Sequence, residues 1–196
     1  NEHVVYRILK VDEQGNAVKD AELTVYEKSD GKETAVASFT TTEEAKILYG
    51  LKKGTDYVVK ETKTPTGYYT AAEKTFHFNA EGNAQPIEIV MQDNTIQTVL
   101  RKVDLEGKRL SGAVLTIIDL ESGETAASFT SAAEDIQIGN VLKPGHSYAV
   151  KEEQAPKGYY RSADVRFTVP EHMQNDDSIE VEVKDCPIKG TVIKTD

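Results

Sequence analysis

The chain carries three kinds of ionisable residue at the ends of stretches that alternate between apolar and polar positions. Such alternation is typical of a β-strand with one buried face, and each of these residues continues the apolar series by one step. In residues 179–185, Ile and Val occupy every second position and Asp185 takes the next one. The same pattern leads to Lys10, Glu61 and Asp93 in the first half of the chain and to Lys102, Glu152 and Asp185 in the second.

A lysine and two carboxyl groups that meet inside a protein can form an amide. Burial disfavours charge, so it lowers the pKa of an amine and raises the pKa of a carboxyl group. A neutral amine is a nucleophile and a protonated Asp is an electrophile. The Glu would hold the Asp through a shared proton and move protons during the attack. Because fixed neighbours have a high effective concentration, one slow turnover suffices, and the residues predict a Lys–Asp crosslink with loss of water.

Each of these residues has a simpler interpretation when it is considered alone. Lys and Glu are rarely buried without a partner, and Asp185 before Cys186 and Pro187 could simply start a turn. The crosslink hypothesis therefore depends on the recurrence of all three residue types at matching places. Asn94 and Glu153 are neighbouring candidates, but their parity predicts that they point away from the apolar face.

The candidate residues lie in a tandem repeat. ETAVASFT at 33–40 recurs as ETAASFT at 124–130, and TPTGYY at 64–69 recurs as APKGYY at 155–160. Lys102 follows Lys10 by 92 residues, and Lys194 follows Lys102 by the same interval. The repeat predicts domains at 1–94 and 95–188, and at 189–196 either a C-terminal tail or the start of a truncated third copy.

Within each copy, short stretches rich in Val, Ile, Thr, Tyr and Phe alternate with turn signals such as EQGN at 13–16 and AEGN at 80–83. Several short strands at regular spacing predict an all-β fold, with one Ig-like β-sandwich in each domain. The joint at 94–98 has no Gly/Ser-rich stretch, so we expect a short, stiff connection and an elongated arrangement.

Composition excludes several classes of function. The net charge of −10 disfavours nucleic acid and anionic membrane as partners, and no apolar run approaches the length of a membrane helix. We expect neither a cofactor nor a metal, because the four histidines lack paired spacing. These are His3, His77, His146 and His172. Cys186 is the single cysteine, so an intrachain disulfide is impossible, and we expect an inert side chain at a strand end.

The order of short motifs in each copy is that of a known family. The sequence runs from KVD through a box such as LKPGHSYAVKEEQAPKGYY at 142–160 to a closing strand such as IEIVMQD at 87–93. On these motifs, nearly the whole chain resembles two copies of the collagen-adhesin B-type (CnaB) repeat of Gram-positive surface proteins and pilins. The resemblance implies a reversed Ig-like sandwich with an isopeptide bond between a Lys on the first strand and an Asn or Asp on the last. It implies Lys10–Asp93 assisted by Glu61, and Lys102–Asp185 assisted by Glu152.

The resemblance and the repeats together predict a structural role. We expect a stalk segment of an extracellular, cell-wall-anchored adhesin or pilus-like protein, monomeric, with neighbouring repeats of the same chain as its partners. The alternative is a ligand-binding adhesin domain that contacts host protein or glycan, for instance through the GYY tyrosines at 68–69 and 159–160. We expect one tyrosine of each pair to pack into its sandwich. An enzyme is not expected, because no Gly-rich phosphate loop, nucleophile–His–acid arrangement or metal cluster stands out.

Overall fold

The computed structural model describes residues 5–79, 86–174 and 178–190. The AEGN turn signal and Lys194 lie outside the described residues. The chain divides into two compact units between Ile96 and Gln97, with Glu171–Gln174 grouped with the first unit. Each unit is built from β-strands that form two sheets.

The first unit has seven strands among the described residues. A three-stranded sheet has the order β4-β1-β7, and a four-stranded sheet has the order β3-β2-β5-β6. The strands are β1 (Tyr6–Val11), β2 (Glu22–Ser29), β3 (Lys32–Thr40), β4 (Lys46–Leu48), β5 (Thr55–Lys63), β6 (Lys74–Phe78) and β7 (Ile87–Gln92).

The second unit repeats this architecture. Its three-stranded sheet has the order β11-β8-β14 and its four-stranded sheet the order β10-β9-β12-β13. A short 3-10 turn at Gly139–Val141 follows β11. The predicted fold class, an all-β chain of two tandem sandwiches, is therefore confirmed. The strands are β8 (Thr98–Asp104), β9 (Val114–Asp119), β10 (Thr125–Thr130), β11 (Ile136–Gln137), β12 (Ser147–Gln154), β13 (Val165–Thr168) and β14 (Ile179–Asp185).

Side chains at alternate positions of the strands fill the space between the two sheets. On β1, Tyr6, Ile8 and Lys10 are buried, whereas Arg7 and Leu9 between them are only half-buried. A strand with this pattern buries one face and leaves the other at the surface. The core of the first unit takes Tyr6, Ile8, Ile89 and Met91 from one sheet and Leu23, Val25, Tyr57 and Val59 from the other.

The first and last strands of each unit are neighbours and run parallel. Lys10 on β1 lies opposite Met91 on β7, and Lys102 on β8 lies opposite Val183 on β14. Each aspartate comes two residues after the partner of its lysine, on the same face of the sheet. Parallel pairing thus places a Lys and an Asp at the same end of adjacent strands.

Candidate crosslinking sites

In the first unit, Lys10, Glu61 and Asp93 meet in the core. The Lys10 ammonium contacts Asp93 Oδ1 and lies 3.2 Å from Glu61 Oε1. The three side chains are no more than 1% exposed. Charged groups are this deeply buried only when they are paired, so the three residues form one electrostatic unit.

The second unit brings Lys102, Glu152 and Asp185 together in the same way. The Lys102 ammonium contacts Asp185 Oδ1 and lies 3.1 Å from Glu152 Oε1, and all three side chains are fully buried. Lys102 Nζ also lies 3.5 Å from the backbone carbonyl of Val183. The two sets of three residues are called the first triad and the second triad below.

Each triad bridges the two sheets of its sandwich. The Lys lies on the three-stranded sheet, and the Asp lies at or directly after the end of a strand of the same sheet. The Glu lies on the four-stranded sheet.

A turn directly after the lysine strand holds the end of that strand in place. Asp12 Oδ1 accepts hydrogen bonds from the backbone N–H groups of Gln14 and Asn16 at 2.9 and 2.8 Å. This accounts for the Asp in the repeated KVD motif.

The second copy of the motif builds the same turn. Asp104 Oδ1 accepts hydrogen bonds from the backbone N–H groups of Glu106 and Lys108 at 3.0 and 2.8 Å. Asp104 itself is buried and lies opposite Asp185 in the parallel pairing. The turn therefore supports the strand end that carries Lys102.

A β-bulge follows the glutamate in both units. Glu61 pairs with Leu23, and the register shifts before the next pair, Glu22 with Lys63. In the second unit the shift falls between Glu152 and Gln154. A bulge bends its strand and re-aims nearby side chains, so the two bulges end the regular alternation just where the glutamate enters the core.

Burial and the neighbouring carboxylate change the acidity of the aspartates. Burial raises the pKa of Asp93 to about 7, and Glu61 adds to the rise, although Lys10 opposes it. The pKa of Asp185 is raised by burial, with Lys102 opposing and Glu152 adding to the rise. A raised pKa keeps a carboxyl group protonated at higher pH, which is the form that an amine can attack.

One oxygen of each carboxyl group lacks a hydrogen-bond donor. Among the described residues, no donor in suitable geometry reaches Glu61 Oε1 or Asp93 Oδ2, and the same is true of Glu152 Oε1 and Asp185 Oδ2. Buried oxygens without a donor are costly. A proton on a carboxyl group of the triad would supply such a donor, and the neighbouring glutamate contributes to the raised pKa of each aspartate.

The remaining oxygen of each glutamate is anchored by the loop ten residues further along the chain. Glu61 Oε2 accepts a hydrogen bond from the backbone N–H of Ala71 at 2.7 Å. Glu152 Oε2 accepts one from the backbone N–H of Ser162 at 2.7 Å and a second from the Ser162 hydroxyl at 3.1 Å. The triads thus differ by one hydroxyl group, which sequence reasoning missed.

The neighbouring candidates lie elsewhere. Asn94 is half-buried and accepts a hydrogen bond from the Gln92 side chain at 3.2 Å. Glu153 and Cys186 are exposed. Neither Asn94 nor Glu153 appears among the contacts of the triads described above.

The GYY tyrosines differ between the copies. Tyr69 is 5% exposed, as expected for a tyrosine that packs into the sandwich. In the second copy Tyr159 is half-buried and Tyr160 is 59% exposed, so neither is buried as deeply as Tyr69. The backbone N–H of Tyr160 donates a hydrogen bond to the backbone carbonyl of Cys186, which holds this loop beside the end of β14.

Asp119, Glu121 and His146 form a cluster that the spacing of the histidines does not predict, because His146 is far in sequence from the two acidic residues. Their potential ligand atoms lie within 4.8 Å of one another. His146 Nδ1 is 2.9 Å from Asp119 Oδ2, and the Lys143 ammonium is 3.8 Å from the same oxygen. Backbone N–H groups of Glu121 and Ser122 donate to Asp119 Oδ1. These bonds account for the cluster as the anchor of a hairpin turn.

Comparison with known proteins gives a family. The model of the SpaA prealbumin-like fold domain matches residues 5–95 and again residues 97–187. No curated protein matches the sequence.

Among the described residues, no helix has the length and apolar composition to cross a membrane.

Several solved structures are similar to the chain. The shaft pilin SpaA from Lactobacillus rhamnosus GG is 16% identical with a TM-score of 0.47, covering 98% of this chain and 99% of its own. The Bacillus anthracis TIE protein is 29% identical with a TM-score of 0.43, covering 95% of this chain and 35% of its own. The pilus adhesin SpaC from Lactobacillus rhamnosus GG, in an open conformation, is 16% identical with a TM-score of 0.50, covering 97% and 32%. This last likeness concerns the fold alone.

Proposed function

Since the chain belongs to the SpaA prealbumin-like fold domain family, with one member in each half, we propose that it is a structural stalk module. Each domain is stabilised by an isopeptide bond that it forms on itself, Lys10–Asp93 in the first and Lys102–Asp185 in the second. The observation that carries the proposal is the burial of a complete Lys–Glu–Asp triad in both domains.

The bond forms by condensation within the triad. A proton moves from the lysine ammonium to the aspartate, which leaves a neutral amine beside a protonated carboxyl group. Nζ attacks Cγ, and the glutamate accepts a proton from the amine and returns it to the departing oxygen. The Nζ–Cγ bond forms, one Cγ–O bond breaks, and the oxygen leaves as water. The neutral amide replaces two buried charges, whose burial is costly.

The position of the bond suits a load-bearing role. Because β1 and β7 are parallel neighbours, tension applied to the N-terminal end of β1 and the C-terminal end of β7 would shear their hydrogen bonds. A Lys10–Asp93 bond joins the two strands near their C-terminal ends. Force then passes along β1 and through the amide, and residues 11–92 between the two crosslinked residues carry no load.

Force spectroscopy on the whole chain, pulled from its two termini, tests this role. We expect the wild-type chain to show no release of the segment between the crosslinked residues in either domain. The Lys10→Met variant should release residues 11–92, which adds roughly 280 Å of contour length. The Lys102→Met variant is the matched control, with the same release from the second domain. Release of both segments by the wild-type chain would contradict the proposal.

The proposed stalk function also implies a location and a set of partners. We propose that the domains belong to a surface-exposed pilus-like or adhesin protein of a Gram-positive cell wall, with other domains of the same protein as neighbours. We also propose domain boundaries near residues 94 and 188, with residues 189–196 as either a C-terminal tail or the start of a truncated third copy. Self-crosslinking is a single turnover on the protein's own chain, so an enzymatic function is not proposed.

A ligand-binding role is the second candidate, and one observation favours it. Tyr160 and Ile188 are 59% and 51% exposed, whereas their counterparts Tyr69 and Ile96 are buried. The Tyr160 backbone bonds to Cys186, so both side chains lie near the end of β14. Exposed apolar side chains whose counterparts in the other domain are buried are candidates for a contact with another molecule. Binding of host matrix proteins or glycans that is lost in Tyr160→Ser, but kept in the matched surface variant Tyr49→Ser, would support this role.

A further inference from the structure

The loop after the glutamate gives the two triads different hydrogen-bond donors. Ala71 and Ser162 each stand ten residues after the glutamate, and each donates its backbone N–H to Oε2 of that glutamate at 2.7 Å. Only Ser162 has a side-chain hydroxyl, which lies 3.1 Å from the same oxygen. The glutamate of the second triad therefore has one more hydrogen bond than that of the first.

We propose that Ser162 is a positioning residue for crosslinking in the second domain, where its hydroxyl orients Glu152. This inference rests on the proposed function. Two donors on Oε2 restrict rotation of the carboxylate more than one donor does, and a hydrogen bond to an ionised carboxylate is a strong one. The other oxygen, Glu152 Oε1, is thereby held 3.1 Å from the Lys102 ammonium.

The first triad lacks the second donor. Ala71 gives Glu61 Oε2 its backbone N–H alone, so the carboxylate of Glu61 is held less firmly than that of Glu152. The second domain should therefore form its bond faster than the first.

Refolding kinetics of the full chain test the inference. The chain is recovered unfolded in denaturant and diluted into refolding buffer. Samples are quenched at intervals in acidic denaturant and digested, and the crosslinked peptide of each domain is quantified by mass spectrometry. We expect Ser162→Ala to slow bond formation in the second domain by about fivefold, while the first domain keeps its rate.

Two further variants separate positioning from a structural effect. Ser162→Thr keeps the hydroxyl and should restore the rate. Ala71→Ser should accelerate the first domain, a gain that a merely structural role of Ser162 does not predict and that does not depend on the folding of Ser162→Ala. Unchanged rates in both Ser162→Ala and Ala71→Ser would overturn the inference while leaving the proposed function intact. Absence of any water loss from the wild-type chain would overturn both.

Discussion

The first and second domains hold the same triad in the same parallel-strand frame, but they support it differently. Lys10 and Lys102 stand 3.2 and 3.1 Å from their glutamates, and both contact their aspartates. The difference lies outside the triad, in the loop that anchors the glutamate through one donor or two. The geometry of the triad is thus shared by the two domains, whereas the number of donors that anchor the glutamate differs.

Loss of the glutamate from one triad should produce the largest difference in stability between the two domains. We expect Glu61→Gln to abolish the bond in the first domain and to leave the second unaffected, because the proton shuttle is removed from one triad only. Closing a loop of this length is worth about 4.5 kcal/mol in the chain-entropy model, which corresponds to about 20 °C in Tm for a domain of this size. Calorimetry should show one lowered transition and one unchanged.

Glu152→Gln is the matched control, and it should lower the other transition. Two transitions that stay together in both variants would contradict the assignment of one independent bond to each domain.

The pH dependence of an uncrosslinked first domain should show the raised pKa of Asp93. In Lys10→Met the bond cannot form, and Asp93 loses the ammonium that opposes the rise of its pKa to about 7. Because the folded-state value lies above the unfolded value of 3.8, the folded domain binds more protons between the two values. Its free energy of unfolding should therefore fall as the pH rises from 4 to 8.

Chemical denaturation at several pH values measures this fall, and the Lys10→Met, Asp93→Asn double variant should lose it. The wild-type domain should lack this contribution, because an amide does not titrate. A fall of equal size in the wild-type chain and in the double variant would show that Asp93 is not its source.

The turn after the lysine strand should matter equally in both domains. Asp12 and Asp104 each hold two backbone N–H groups, so Asp12→Ala and Asp104→Ala should each lower the Tm of the corresponding domain by a few degrees, with the crosslink still formed. Differential scanning calorimetry with mass measurement checks both effects. Loss of the crosslink in either variant would mean that the turn positions the lysine as well as stabilising the strand.

Alternation in the sequence was sufficient to select the residues that the core brings together. Lys10, Asp93 and their counterparts continue the buried face of regular strands, and strand alternation is a local property that sequence displays directly. The all-β fold followed from the same patterns and from the repeat. Local patterns do not show which strands pair, so the parallel pairing of β1 with β7 required the structure.

Other features of the site depend on contacts that sequence spacing does not reveal. The bulge after Glu61 arises from the pairing of β5 with β2, and the bond from Ser162 to Glu152 crosses a loop of ten residues. The cluster around Asp119 and His146 joins residues 27 apart. Each results from the path of the folded chain, and such tertiary contacts leave no periodic signal.

The intact mass of the purified chain under denaturing, reducing conditions tests the crosslinks most directly. The account predicts a deficit of two waters, and peptide mapping should place one loss at Lys10–Asp93 and the other at Lys102–Asp185. Loss of ammonia would point instead to an asparagine acceptor such as Asn94. The unmodified mass would contradict the crosslinks and the covalent load path, and would leave two tandem sandwiches with buried ion clusters.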